Sequence, residues 1–180
     1  MEFDFSKNYF ELFGLEVGFL LDDNHLNTHY QQLQSQFHPD RFASSTDQDK
    51  RMAMQATTFI NEAYDTLRDQ QSRARYLLEL AGVEFDMEKD TTQDMDFLMA
   101  QMSLREKIDE VDHRENPLDE LDELALAAKQ EKVQLTENFQ AQYHQQDWEQ
   151  AKETVLKLQF YNRLQQQINR KQEQIEEQIL

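Results

Sequence analysis

Residues 22–67 read DDNHLNTHYQQLQSQFHPDRFASSTDQDKRMAMQATTFINEAYDTL, and the spacing of their apolar residues decides the fold. Leu26, Tyr30, Leu33 and Phe37 follow one another at intervals of 4, 3 and 4, which places them on a single stripe of an α-helix. Asp22 and Asp23 are suited to cap its amino end. Pro39 stops it, because the proline ring drives His38 towards extended backbone. After a polar loop, residues 43–49, the spacing predicts a second helix from about Lys50 to Asp69, with Ala53, Ala56, Ile60, Ala63, Tyr64 and Leu67 on one face. Two helices of similar length with matching stripes are expected to close as an antiparallel hairpin, with His38-Pro39-Asp40 exposed at the turn.

Composition agrees with an all-α chain. Three Gly and two Pro in 180 residues leave little turn chemistry for hairpin strands. Gln, Glu, Leu, Ala and Lys, which lose little side-chain freedom in a helix, are abundant. Ahead of the pair, Tyr9, Phe10, Leu12 and Phe13 read as a short helix ended by Gly14. Beyond it, an apolar turn, Tyr76 to Leu80, leads through Gly82 into an acid-rich connector ending near Thr92. The pattern is then helical to the end, interrupted at Asn116-Pro117 and at residues 145–147, so three long helices form a bundle with its own core.

The net charge of -18 and the complete absence of Cys exclude whole function classes. So acidic a surface repels nucleic acid and anionic membranes. Without thiols there are no disulfides, Cys-zinc sites or Cys-ligated clusters. Residues 1–9 carry Glu2, Asp4 and a single Lys7, which suits neither a signal nor a transit peptide, and no apolar run reaches the about 18 residues of a membrane span. The expectation is a soluble protein of a reducing, cytoplasmic compartment with no resident metal or cofactor. His25 and His29, four residues apart, lack a third ligand at helical spacing. An enzyme built on His38 and Asp40 with Ser44 or Ser45 as nucleophile would lack an oxyanion hole, a nucleophile elbow and a phosphate loop.

The acidity is local: residues 84–123 hold 15 acids against 4 bases. Within this segment the helix around Phe97 to Val111 is apolar on two sides. Phe97, Leu104, Ile108 and Val111 make one stripe, whereas Met95, Leu98, Met99 and Met102 lie opposite and continue into Glu106, Asp109 and Glu110. Periodicity alone leaves two readings of the methionines open, packing against the amino-terminal half of the chain or a neighbouring helix, or a face for a protein partner.

Several motifs resemble those of known families. Tyr9 to Leu15, Phe37-His38-Pro39-Asp40-Arg41-Phe42 and Ile60 to Leu67 look like a J-domain, the module that stimulates the ATPase of DnaK-type chaperones. Arg73-Ala74-Arg75-Tyr76-Leu77-Leu78, Asp96 to Glu106 and Leu156 to Phe160 are similar to the HscB family. That resemblance implies a J-domain at residues 1–75, a short connector at 76–91 and a three-helix client-binding domain at 92–180. It implies a HscA-like chaperone bound through His38, Pro39, Asp40 and Arg41. It also implies an iron-sulfur scaffold protein, IscU-like, bound through Leu98, Met99, Met102, Glu106, Glu110 and Phe160. A J-domain acting on a different client is the runner-up, followed by an acidic helical interaction protein without a chaperone role. Two departures stand out: Ser103 occupies a place that is often acidic in the family, and residues 22–37 contain no Lys or Arg where J-domains are usually basic.

Overall fold

The computed structural model describes residues 3–86 and 90–179, and it separates into two compact units, residues 1–80 and 81–180. Met1 and Glu2 of the amino-terminal stretch and residues 87–89 of the connector lie outside the described residues. All regular structure among the described residues is helical.

In the first unit α1 (Tyr9–Leu12) is closed by a reciprocal cap between Asn8 and Glu11 and ended by Gly14 at φ 64°. The Leu15 amide reaches back to the Phe10 carbonyl at 2.9 Å, a chain reversal that needs the left-handed backbone glycine tolerates. α2 (Asp23–Phe37) starts at Asp22, whose carboxylate accepts the amides of Asn24 and His25. α3 (Asp47–Arg68) begins three residues earlier than its apolar stripe implied, because the Thr46 hydroxyl caps it by accepting the Asp49 amide at 3.2 Å. Side-chain bonds run from Tyr64 to Asn27, Tyr30 to Asn61 and Thr57 to the Phe37 carbonyl, so one helix descends as the other rises and the hairpin is antiparallel. Leu26, Ile60, Ala63 and Leu67 from the paired stripes close with Phe10, Phe13, Leu77 and Leu78 into the core.

The apolar turn expected at Tyr76 to Leu80 is the end of a full helix, α4 (Gln70–Leu80). Its first turn escaped the pattern because a charged residue holds a core position. Arg73 is only 5% exposed, donates from a guanidinium nitrogen to the Leu67 carbonyl at 2.9 Å and lies against the Phe19 ring. Burial lowers its pKa, with Asp23 and Asp69 opposing. An aromatic cluster of Phe3, Phe5, Tyr9, Phe37 and Phe59 also ties the amino-terminal residues onto α3.

The second unit is α5 (Met95–Glu110), α6 (Pro117–His144) and α7 (Trp148–Ile179). The breaks fall where expected: Pro117 opens α6 at its first turn, and Gln146 at φ 59° separates α6 from α7. Links from Gln142 to Thr154 and from Asp122 to Gln172 make α6 and α7 antiparallel, whereas Asp94 to Lys157 and Asp109 to Gln167 make α5 and α7 parallel. Ile108, Val111, Leu121, Phe160, Leu164 and Ile168 form the centre of this three-helix core.

Candidate functional site

The turn after α2 is built to present side chains. Pro39 opens a 3-10 turn, Pro39–Phe42, and the Asp40 amide donates to the His38 Nδ1 at 3.3 Å. A nitrogen that accepts has no proton, so the neutral ring carries its hydrogen on Nε2. The Asp40 carboxylate lies 3.6 Å from Nδ1 and is almost wholly exposed. The turn therefore offers a partner one N–H donor and one anionic acceptor, held side by side. Arg41 of the expected set is partly committed elsewhere: its guanidinium donates to the Ser35 carbonyl at 3.0 Å and satisfies one of the open carbonyls at the end of α2.

The cationic side chains around this turn make contacts within the chain. Lys50 stands 3.9 Å from Asp47, and Arg51 donates to the Asp47 carbonyl. His25 and His29 are stacked at 4.0 Å and each donates to a backbone carbonyl, His25 to Phe13 and His29 to His25. Among the described residues no group of three or more His, Asp or Glu is disposed to hold a metal ion.

On α5 the two apolar sides separate cleanly. Ile108 and Val111 are buried and Phe97 and Leu104 pack partly against the same core. Met95, Met99 and Met102 point away from it, at 66%, 65% and 73% exposure, with Leu98 half-buried at their flank. The three methionines are thus mostly uncovered by the rest of their unit. Glu106 and Glu110 continue the same side, and Glu110 leans towards Arg114 at 3.5 Å. Phe160 differs from the other five expected client residues. It is 7% exposed, meets Phe97 edge-on at 5.5 Å and is covered by the Arg105 guanidinium at 5.7 Å.

Residues that sequence reading passed over hold this face in place. Asp94 caps α5 by accepting the Phe97 amide at 3.0 Å and pairs with Lys157 of α7 at 2.7 Å. The Lys157 bond, aided by the Phe97 amide, holds the Asp94 carboxyl below its usual range. Thr92 is buried, donates to Glu153 and accepts the Asp94 amide at 3.2 Å. The cap was readable in principle, as an Asp just ahead of an apolar helix. Its partner on α7 was not.

Comparison with known proteins covers both units. The DnaJ domain family matches residues 8–76, and the family described as the HSCB C-terminal oligomerisation domain matches residues 93–169. A protein described as a co-chaperone protein HscB homolog from Vibrio cholerae is 40% identical over 173 residues, spanning 93% of this chain and 98% of its own. The chain belongs to the HscB family. The solved structure of the chaperone HscB from Vibrio cholerae superposes with a TM-score of 0.84 at 37% identity, covering 97% of this chain and all of that one. The crystal structure of the human co-chaperone protein HscB gives 0.85 at 32% identity, over 93% of this chain and 83% of that one. As a HscB-family protein the chain is a J-domain co-chaperone and not an enzyme. Among the described residues no helix is long and apolar enough to cross a membrane.

Proposed function

We propose that this co-chaperone stimulates the ATPase of a DnaK-type, HscA-like chaperone and delivers to it an IscU-like iron-sulfur scaffold protein in a reducing, cytoplasmic compartment. In this reading residues 1–75 act on the chaperone through His38, Pro39, Asp40 and Arg41. Residues 92–180 hold the client through Leu98, Met99, Met102, Glu106, Glu110 and Phe160. The observation that carries it is the division of α5, whose buried stripe maintains the bundle while the methionine side remains in solvent beside a row of carboxylates. Apolar area left uncovered beside negative charge suits a partner that is apolar at one point and basic next to it.

The turn acts by contact. Proline limits the backbone freedom that binding would otherwise remove, so the His38 donor and Asp40 acceptor meet the chaperone with little ordering cost. Stimulation then follows if the chaperone conformation competent for hydrolysis binds this pair more tightly than the resting one. The test is a matched pair of measurements on the full chain with a HscA-like chaperone and an IscU-like scaffold. His38→Gln should abolish stimulation in single-turnover ATPase assays while scaffold affinity by calorimetry is retained. Leu98→Ala with Met102→Ala should do the reverse. Equal stimulation by the first variant, or unchanged affinity of the second, overturns the corresponding half.

A further inference from the structure

Among the described residues exposed sulfur is concentrated on one surface. There is no Cys, so methionine supplies all of its side-chain sulfur. Among the described residues Met52 is half-buried, Met54 is exposed on α3, and the other three, Met95, Met99 and Met102, share the outward side of α5. Their spacing of four and three residues puts the thioethers in one row along the helix. An oxidant in solution therefore meets this row without any opening of the fold.

We propose that Met95, Met99 and Met102 form an oxidation site that switches client binding off, an inference that rests on the reading of α5 as the client face. The reagent class is a peroxide. A methionine sulfur lone pair attacks one peroxide oxygen, the O–O bond breaks as the S–O bond forms, and the departing hydroxide takes up a proton to give water. Sulfur loses two electrons and the peroxide gains them. The product sulfoxide replaces an adaptable apolar group by a strongly polar acceptor, and seating it against an apolar partner surface requires its desolvation. Two equivalents of thiol on a sulfoxide reductase reverse the step, leaving thioether, disulfide and water.

The placement makes this a switch and not damage. Oxidation of a core methionine disrupts packing, but these three contribute little to the core that Phe97, Leu104, Ile108 and Val111 build on the other side of α5. The helix end is anchored independently, by the Asp94–Lys157 pair and by Thr92 on Glu153. Sulfoxide groups on the outer row leave these contacts intact, so the fold survives while the face changes from apolar to polar. Exposure also leaves the sulfoxides open to a reductase.

The experiment treats the full chain with hydrogen peroxide, removes the excess with catalase, and only then adds an IscU-like scaffold. Peptide mass mapping locates added oxygen, far-ultraviolet circular dichroism reads the fold, and calorimetry reads affinity. The expected result is oxygen on Met95, Met99 and Met102 with helix content retained and affinity lowered about tenfold or more. Methionine sulfoxide reductase should restore it. Met95→Leu/Met99→Leu/Met102→Leu, whatever its starting affinity, should show the same affinity before and after peroxide, whereas Met54→Leu should lose affinity as the parent does. Unchanged affinity of the oxidised parent, or an equal loss in the triple variant, overturns the proposal. If untreated Leu98→Ala with Met102→Ala binds the scaffold normally, the client reading itself fails and the switch falls with it. An intact client reading with no response to peroxide removes the switch alone.

Discussion

Ile108 and Met102 lie on one helix six residues apart, and replacing each by alanine should have opposite consequences. Ile108 is 1% exposed at the centre of the second core. Ile108→Ala removes roughly three carbon groups, which at about 0.8 kcal/mol for each buried methylene amounts to ~2.4 kcal/mol of lost transfer energy. The cavity left behind raises the total to about 3–4 kcal/mol. Met102 is mostly in solvent, so Met102→Ala should change stability by no more than about 0.5 kcal/mol. Trp148 is the only tryptophan and packs against Tyr143 at 5.6 Å, so its fluorescence reports unfolding of the second unit. With a urea dependence of roughly 1–2 kcal/mol/M for a unit of this size, the Ile108→Ala midpoint should fall by about 2 M while that of Met102→Ala stays within about 0.5 M of the parent. Scaffold affinity measured without denaturant should follow the reverse order. A midpoint shift below about 0.5 M for Ile108→Ala, or a larger one for Met102→Ala, would refute the assignment of the two sides of α5.

Other consequences are open to simple measurement. Gly14 at φ 64° should tolerate alanine badly: Gly14→Ala should destabilise the first unit by about 1–2 kcal/mol from backbone strain alone, read by thermal melting, because the nearest side-chain atom to the new Cβ is 3.9 Å away. The Tyr9 hydroxyl, desolvated and hydrogen-bonded to Glu62, has its pKa pushed up to about 12. Folding thus favours the protonated phenol, and this contribution is fully present below about pH 10 and lost as pH rises through about 12. Spectrophotometric titration of Tyr9→Phe beside the parent should show one late-titrating phenol removed. ATPase stimulation should depend only weakly on ionic strength, since α2 carries no Lys or Arg and Lys50 beside the turn already faces Asp47. Loss of stimulation by tenfold between low and high salt would contradict this.

Particular elements show where sequence reading reached and where it stopped. The stripes of α2 and α3 and the breaks at Asn116-Pro117 and residues 145–147 were legible because each follows from local chemistry, apolar periodicity and backbone restriction. The start of α3 was missed by a few residues because Thr46 acts through its cap, not through an apolar side chain. The first turn of α4 was missed because Arg73 breaks the apolar pattern while occupying the core. Phe3 and Phe5 signalled nothing by periodicity, and only Phe37 and Phe59 give them a place.

What the sequence by itself determined is the helical class, the two-helix turn that presents His38, Pro39 and Asp40, the three-helix region after it and the exclusion of thiol and phosphate-loop chemistry. These depend on neighbours within a few positions along the chain. Only the tertiary structure decided which apolar side of α5 is covered, that Phe160 lies under Arg105, and that Asp94 is held by Lys157. Each depends on groups about 55 to 63 residues away being brought to within a few ångströms by the parallel packing of α5 on α7. A helix with two apolar sides is a symmetric statement in sequence, and it takes the packing of α6 and α7 against one of them to leave the other for a partner.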